Sequence, residues 1–520
     1  MNNGTSGSSH STSPATGGLE SASFIVSPTQ IALDTAMLRH DVWGSMAHVL
    51  MLHHVGVIAT QAAVAICRAL EGVQQGIDEG TFHIDPSRGA QLSLERGVIA
   101  TIGVEDGSRM HTARSRNDQV MLTEMLYLRE RALELAAEGC HVVDALLSLA
   151  KEHTSTVMPG YTHMQPAKPT TLGQWALAYA DGMLRALDDL RYTWEQYDAC
   201  PLGAVESYGT SWPIDREYAA QLLGFSRVWE VPQDVIGSRG MLQLAYLDVC
   251  KRLATVMSKI AADLLLFTTW EYGYFELGEA VAQRLHPITG SSVMAQKRNP
   301  DALELLRATG HQVLGIAATA SHLLAGLPMG YNRDSREIKE WSALGFDKTL
   351  SALHTLRTTL ATLQVDQERM LAAVKDNYSS TTDLADAIAQ VTGAGYRQVY
   401  AIVGRLVDRM IEEGRPLHDL KAAEIVEAAQ LGGLHISISD ELIQEALDPE
   451  KALARRTHTG GAAPGEMARM IGGREEALAG HYRWLGECNM RIETARRNTA
   501  ERIVALNVET QQAQVPVGGI

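Results

Sequence analysis

The sequence predicts an all-α protein: an elongated central bundle of long helices, with smaller helical domains before and after it. Three observations carry this. Apolar residues recur at intervals of three and four through several segments of about 25 residues, the signature of helices with one buried stripe. Polar strings bounded by Pro or Gly separate those segments, as expected where helices stop and restart. No fixed-period repeat and no phosphate-binding GxGxxG motif points elsewhere. At ~1.5 Å per residue each such helix is about 38 Å long, so the polar strings fall along the bundle and at its ends.

Residues 1–24 are rich in Gly, Ser and Thr, with no Lys or Arg before Arg39. They read as a disordered tail and not as a secretory or transit peptide. An N-terminal domain is expected over 25–115, with helical spacing from Ala32 to Leu70 and an irregular Gly-, Asp- and Pro-rich stretch from Gly76 to Ser108. The central bundle, 116–375, opens with a helix whose Leu122, Met125, Leu133, Ala136, Cys140, Val143, Leu147 and Ala150 form one seam. A second helix is expected from Thr171 to Tyr197, followed by a loop-rich crossover from Pro201 to Asp234. The apolar run Leu242 to Phe267 is a third; Asp248, Lys251, Arg252, Lys259 and Asp263 interrupt it too often for a membrane span. Further helices run to Leu324 and from Leu344 to Leu363. Past Asp376, glycines at 393, 395, 404, 414, 432 and 433 mark shorter helices and a C-terminal domain over 376–510.

Composition excludes several function classes. Lys+Arg 45 against Asp+Glu 61 gives 45 − 61 = −16, which disfavours nucleic acid as a partner. Five scattered cysteines, Cys67, Cys140, Cys200, Cys250 and Cys488, read as buried thiols of a reducing, cytoplasmic compartment. None has zinc spacing, so no structural metal is expected.

Four polar strings could carry chemistry. Ser115-Arg116-Asn117-Asp118 opens the first long helix; it suits ordinary capping, and equally a dicarboxylate, because Arg grips a carboxylate at two points and the helix dipole adds to the attraction. Thr162-His163, inside the Pro-bounded stretch 158–166, is read as a loop at a helix end, with a hydroxyl beside an imidazole as a proton-handling pair. Gly290-Ser291-Ser292-Val293-Met294-Ala295-Gln296-Lys297-Arg298-Asn299-Pro300 combines flexible backbone, hydroxyls, a cation and an amide, groups able to hold a carboxylate that gains charge. Gly330-Tyr331-Asn332-Arg333-Asp334-Ser335-Arg336-Glu337-Ile338-Lys339-Glu340 is a charged connector. Each string taken alone passes for a linker or a solvated turn.

Together and in this order, these strings resemble the argininosuccinate lyases of the fumarase/aspartase superfamily. The likeness runs from about Asp34 to about Ile471 and rests on His111 to Gln119, Pro159 to Gln165, Gly290 to Pro300, and Tyr331-Asn332 with Lys339-Glu340. Smaller echoes are Pro213-Ile214-Asp215-Arg216-Glu217 and Thr382-Asp383-Leu384-Ala385-Asp386. The resemblance implies a homotetramer whose long helices form one twenty-helix core, with each active site shared by three subunits. It implies cofactor-free anti β-elimination that releases fumarate from an N-substituted aspartate. Ser291 would be the base, Lys297 and Asn299 the stabilisers of the carbanion, and His163 with Glu304 a candidate acid. Ser115, Arg116, Asn117, Thr162, Tyr331 and Lys339 would bind substrate.

Departures from the family pattern fall on the amine side. Gln30 stands ahead of Asp34 where the family has serine, Arg336 replaces a glutamine, and Gln91 to Gly97 lacks the family's histidine and asparagine. Ala204 to Tyr208 replaces a run of small residues, and extra residues occur within Val281 to Thr289. Fumarate handling is thus retained, and Gln30, Asp34 and Arg336 are expected to meet an amine that carries its own carboxylate. The alternatives are argininosuccinate lyase proper and a catalytically silent homologue. Ser291, Lys297, Asn299, Thr162 and His163, all intact, argue against silence.

Overall fold

The computed structural model describes residues 26–283 and 288–513. The expected tail, and part of the expected insertion before residue 290, lie outside them. Helices α1 (Pro28–His54) and α2 (Thr60–Asp78) share the region of continuous helical spacing, broken where Gly56 takes φ 75°. Within the stretch expected to be irregular, α3 (Ala90–Ile102) forms between Gly89 and Gly103.

The bundle follows as α4 (Arg116–Glu152), α5 (Leu172–Tyr197), α6 (Met241–Phe267), α7 (Asp301–Leu324) and α8 (Ile338–Ala361). All eight seam residues of α4 are buried, five per cent exposed or less. They belong to one continuous core with Leu253, Leu264 and Leu353 of α6 and α8. The five cysteines are free and buried. The seam is therefore hydrophobic packing and the thiols are part of it.

Two differences from expectation stand out. The stretch 158–166 is no irregular loop: β1 (Val157–Thr162) and β2 (Gln165–Thr171) form an antiparallel hairpin with a bulge between Pro159 and Tyr161. Prolines hid it, because they read as breakers, yet a two-stranded ribbon is all edge and tolerates them. The second concerns the C-terminal region. Short helices α9 (Gln367–Lys375), α10 (Thr381–Thr392), α11 (Tyr396–Glu412), α12 (Ala422–Leu431), α13 (Asp440–Leu447) and α14 (Pro449–Ala454) occur as expected, and α10 to α13 enclose their own core. But α15 (Pro464–Ala513) is a 50-residue helix whose Met467, Leu478, Cys488 and Ile503 join the bundle core. Gly465, Gly472, Gly473, Gly480 and Gly486 each cost about 1 kcal/mol in a helix relative to Ala, and burial of that stripe overrides them. Among the described residues no helix is long and apolar enough to cross a membrane.

Candidate active site

The predicted residues gather into three groups within the chain. The first lines a cleft of about 370 Å³ walled by Asp34, Arg116, Asn117, Tyr331, Arg336 and Lys339. Each owes its place to local structure. Ser115 caps α4, its hydroxyl accepting the Asn117 N–H at 3.2 Å, while Asp118 accepts the Ser115 N–H at 3.0 Å in a capping box. Arg116 and Asn117 therefore sit at the positive end of a 37-residue helix. Asp118 turns its other oxygen to the N–H groups of Gly203 and Val205 at 3.1 and 3.0 Å, tying the crossover to the site. Burial still pushes its pKa up to about 6, against the pull of Arg114 and those N–H donors.

Behind the cleft, Lys339 is buried and held by Asp34 at 2.6 Å and Glu124 at 3.1 Å. Burial opposes its charge, but the two carboxylates outweigh burial and raise its pKa, so it is a fixed cation. Two of its three N–H donors are engaged. Asp34 also faces Arg336 at 3.6 Å, and Glu124 accepts from Gln243 at 2.8 Å. Gln30 donates to Glu337 at 3.2 Å and Ser27 to Glu340 at 2.5 Å, so α1 is stitched to the start of α8 along one rim of the cleft. Arg239 lies 4.8 Å from the Tyr331 ring centre and also lines the cleft.

The second group is the hairpin tip. Thr162 pairs with Gln165, leaving His163 and Met164 as a two-residue turn with φ 54° and 59°. Such turns favour Asn or Gly, and two larger residues there are strained. Gly160 is obligatory, since a Cβ would meet the Lys168 carbonyl oxygen at 2.5 Å. Thr162, His163 and Met164 are exposed.

The third group is the loop ending at α7. Gly290 bridges Arg298, whose guanidinium donates to the carbonyl oxygens of Ala282 and Leu277 and pairs with Glu276. On this base, Ser291 Oγ accepts N–H groups from Met294 at 2.9 Å and Val293 at 3.3 Å. Lys297 is exposed, Asn299 half-buried, and Glu304 lies exposed in the first turn of α7. Among the described residues no hydrogen bond or ion pair joins the predicted residues of one group to those of another.

Comparison with known proteins decides the family. The family described as "Lyase" matches residues 25–315, and that described as "Argininosuccinate lyase C-terminal" matches 378–454. Argininosuccinate lyase of Methanothermobacter thermautotrophicus is 36% identical over 445 residues, covering 85% of this chain and 93% of that protein. The chain belongs to the argininosuccinate lyase-like branch of the fumarase/aspartase superfamily. It is a carbon–nitrogen lyase. The argininosuccinate lyase of Thermus thermophilus is likewise 36% identical, over 84% of this lyase and 91% of its own length. A crystal structure of EDDS lyase in complex with formate matches with a TM-score of 0.83 at 27% identity, covering 93% of this chain and 94% of that one.

Sequence reasoning missed Glu124 and Arg239. Glu124 had a signal: it lies seven residues beyond Asn117, on the same helix face, as a lone carboxylate between the seam residues Leu122 and Met125. Arg239 lies just ahead of α6 in a segment without distinctive composition, and only the fold brings it to Tyr331.

Proposed function

We propose that the three groups meet as one active site across subunits of a homotetramer, and that this site eliminates fumarate from an N-(1,2-dicarboxyethyl) amine whose amine carries a carboxylate. Met241, Leu305, Leu314, Trp341 and Leu344 leave apolar side chains exposed on long helices, as a helix-to-helix assembly requires. Ser291 carries the reading. Two N–H groups converge on its oxygen and favour the alkoxide, a base able to take the Cβ proton.

The electron pair left at Cβ spreads into the adjacent carboxylate, giving a doubly charged group for Lys297 and Asn299 to stabilise. As that charge returns, the Cα–N bond breaks, His163 gives a proton to the departing nitrogen, and fumarate and the free amine result. Water can then restore the proton on His163 as Ser291 passes its own to solvent. Arg116, Asn117 and the hairpin's Thr162 hold the succinyl carboxylates, with Lys339 as a fixed counter-charge.

On the cleft walls Arg88, Arg116, Arg239, Arg333, Arg336 and Lys339 outnumber the carboxylate of Asp34, even with Arg88 paired to Asp85 and Arg336 facing Asp34, so the lining is cationic. That field attracts a carboxylate and repels a guanidinium. The relatives named argininosuccinate lyase favour the second reading, arginine as the amine. Following fumarate by its ultraviolet absorbance separates the two. Fumarate consumed with amino acids other than arginine or with aminopolycarboxylates, and no release from argininosuccinate, is the expected result; rapid release from argininosuccinate would replace it with the second reading.

A further inference from the structure

The hairpin carrying His163 cannot hold its shape alone. Pro159, Pro166 and Pro169 remove ladder donors, the bulge interrupts the register, the turn is strained, and an isolated two-stranded ribbon is marginal. On one side the bundle supports β1, with Met158 in its core and the Tyr161 hydroxyl 2.8 Å from that of Tyr274; on the other the C-terminal region holds β2. Arg456, just past α14, donates from Nη1 to the Pro169 carbonyl oxygen at 2.7 Å. Its Nη2 meets both oxygens of Asp383 on α10 at 3.0 and 2.9 Å. Asp383 is buried, 7% exposed, and also faces Lys168 of β2 at 3.7 Å, while Lys168 reaches Asp386 at 3.2 Å. Val157 packs with Val374, Leu453 and Ala462 at the foot of the ribbon.

We infer that Asp383 and Arg456 are positioning residues for the elimination: a carboxylate-centred clamp by which the C-terminal helices fix strand β2 and thereby aim His163. The charge of Asp383 orients Arg456, Arg456 holds the Pro169 carbonyl oxygen of β2, and the strand sets the turn. The inference rests on the reading of His163 as the proton donor.

The test is a double-mutant cycle on the full-length enzyme, run with whichever amine supports turnover. Asp383→Asn keeps the shape and removes the charge; kcat should fall about 100-fold, with a smaller rise in KM through Thr162 on the same hairpin, because a misplacement of about 1 Å costs that much at a reacting group. Arg456→Lys keeps a charge beside Asp383 but loses the two-directional fork, and kcat should fall in the same way. In a His163→Asn background neither change should slow the enzyme further, since the clamp acts through that side chain.

Losses that multiply with His163→Asn, or a wild-type kcat in Asp383→Asn, overturn the clamp. A wild-type kcat in His163→Asn alone overturns the assignment of the acid, and the clamp with it. Should Asp383→Asn fail to fold, Arg456→Lys carries the same cycle with the same two outcomes.

Discussion

Ser291 and His163, the base and acid of the proposed reaction, illustrate two ways in which a short string can place a side chain. Around Ser291 the loop folds its own N–H groups onto the hydroxyl oxygen, so activation is local and the string GSS-Val-Met already contains its donors. At His163 the chain instead accepts strain, holding two non-glycine residues at positive φ so that the imidazole stands at an exposed tip. That strain is measurable. Met164 is 65% exposed, so Met164→Gly loses little packing and relieves about 1 kcal/mol of left-handed backbone cost. A thermal midpoint equal to or above wild type is expected; a midpoint several degrees lower would mean that the Met164 side chain is packed in the assembled enzyme and the turn is not the strained element.

Among the elements, α1 and the string before α4 form an acid-sensitive contact. His48 of α1 is buried, with Nε2 donating to the Thr112 carbonyl oxygen at 2.8 Å. Burial and then Arg114 lower its pKa to about 3, from an ordinary value of 6.5. As pH falls through 6.5 the unfolded chain takes up a proton that the folded chain refuses. The stability this group lends is therefore complete above that pH and is lost progressively toward pH 3, by up to about 1.4 kcal/mol per pH unit. His111, pushed down to about 4 by burial and by Arg114 and Arg116, acts in the same direction. In His48→Gln the gap in thermal midpoint between about pH 7.5 and about pH 5 should narrow; an unchanged gap would remove His48 from the account. The same elements show what sequence can and cannot reveal. The α4 seam and the limits of α5, α6 and α7 were legible because periodicity, Pro and Gly act locally. The hairpin and the 50-residue α15 were not, because local prolines and glycines argued against them and only packing across the molecule overrules that argument. The Asp34–Lys339–Glu124 triad was partly legible: Lys339 lies in a recognised string, Asp34 was named at the start of the likeness, and Glu124 is a carboxylate that the fold alone turns into a partner.

At the scale of the whole molecule, the groups that the proposed reaction needs together stand in three unconnected sets within one chain. The cleft offers cations, the hairpin an imidazole, and the loop a serine with Lys297, with no bond from one group to another among the described residues. Apolar side chains on α6, α7 and α8 remain without cover. The proposed tetramer would account for both, and it can be tested directly by co-expressing Ser291→Ala with His163→Asn, each strongly impaired alone, and assaying purified mixed tetramers. If the serine and the histidine of one site come from different chains, random mixing leaves both groups intact at about one quarter of the sites, so about a quarter of wild-type activity should return. No recovery in demonstrably mixed tetramers would place both groups of a site on one chain and contradict the account.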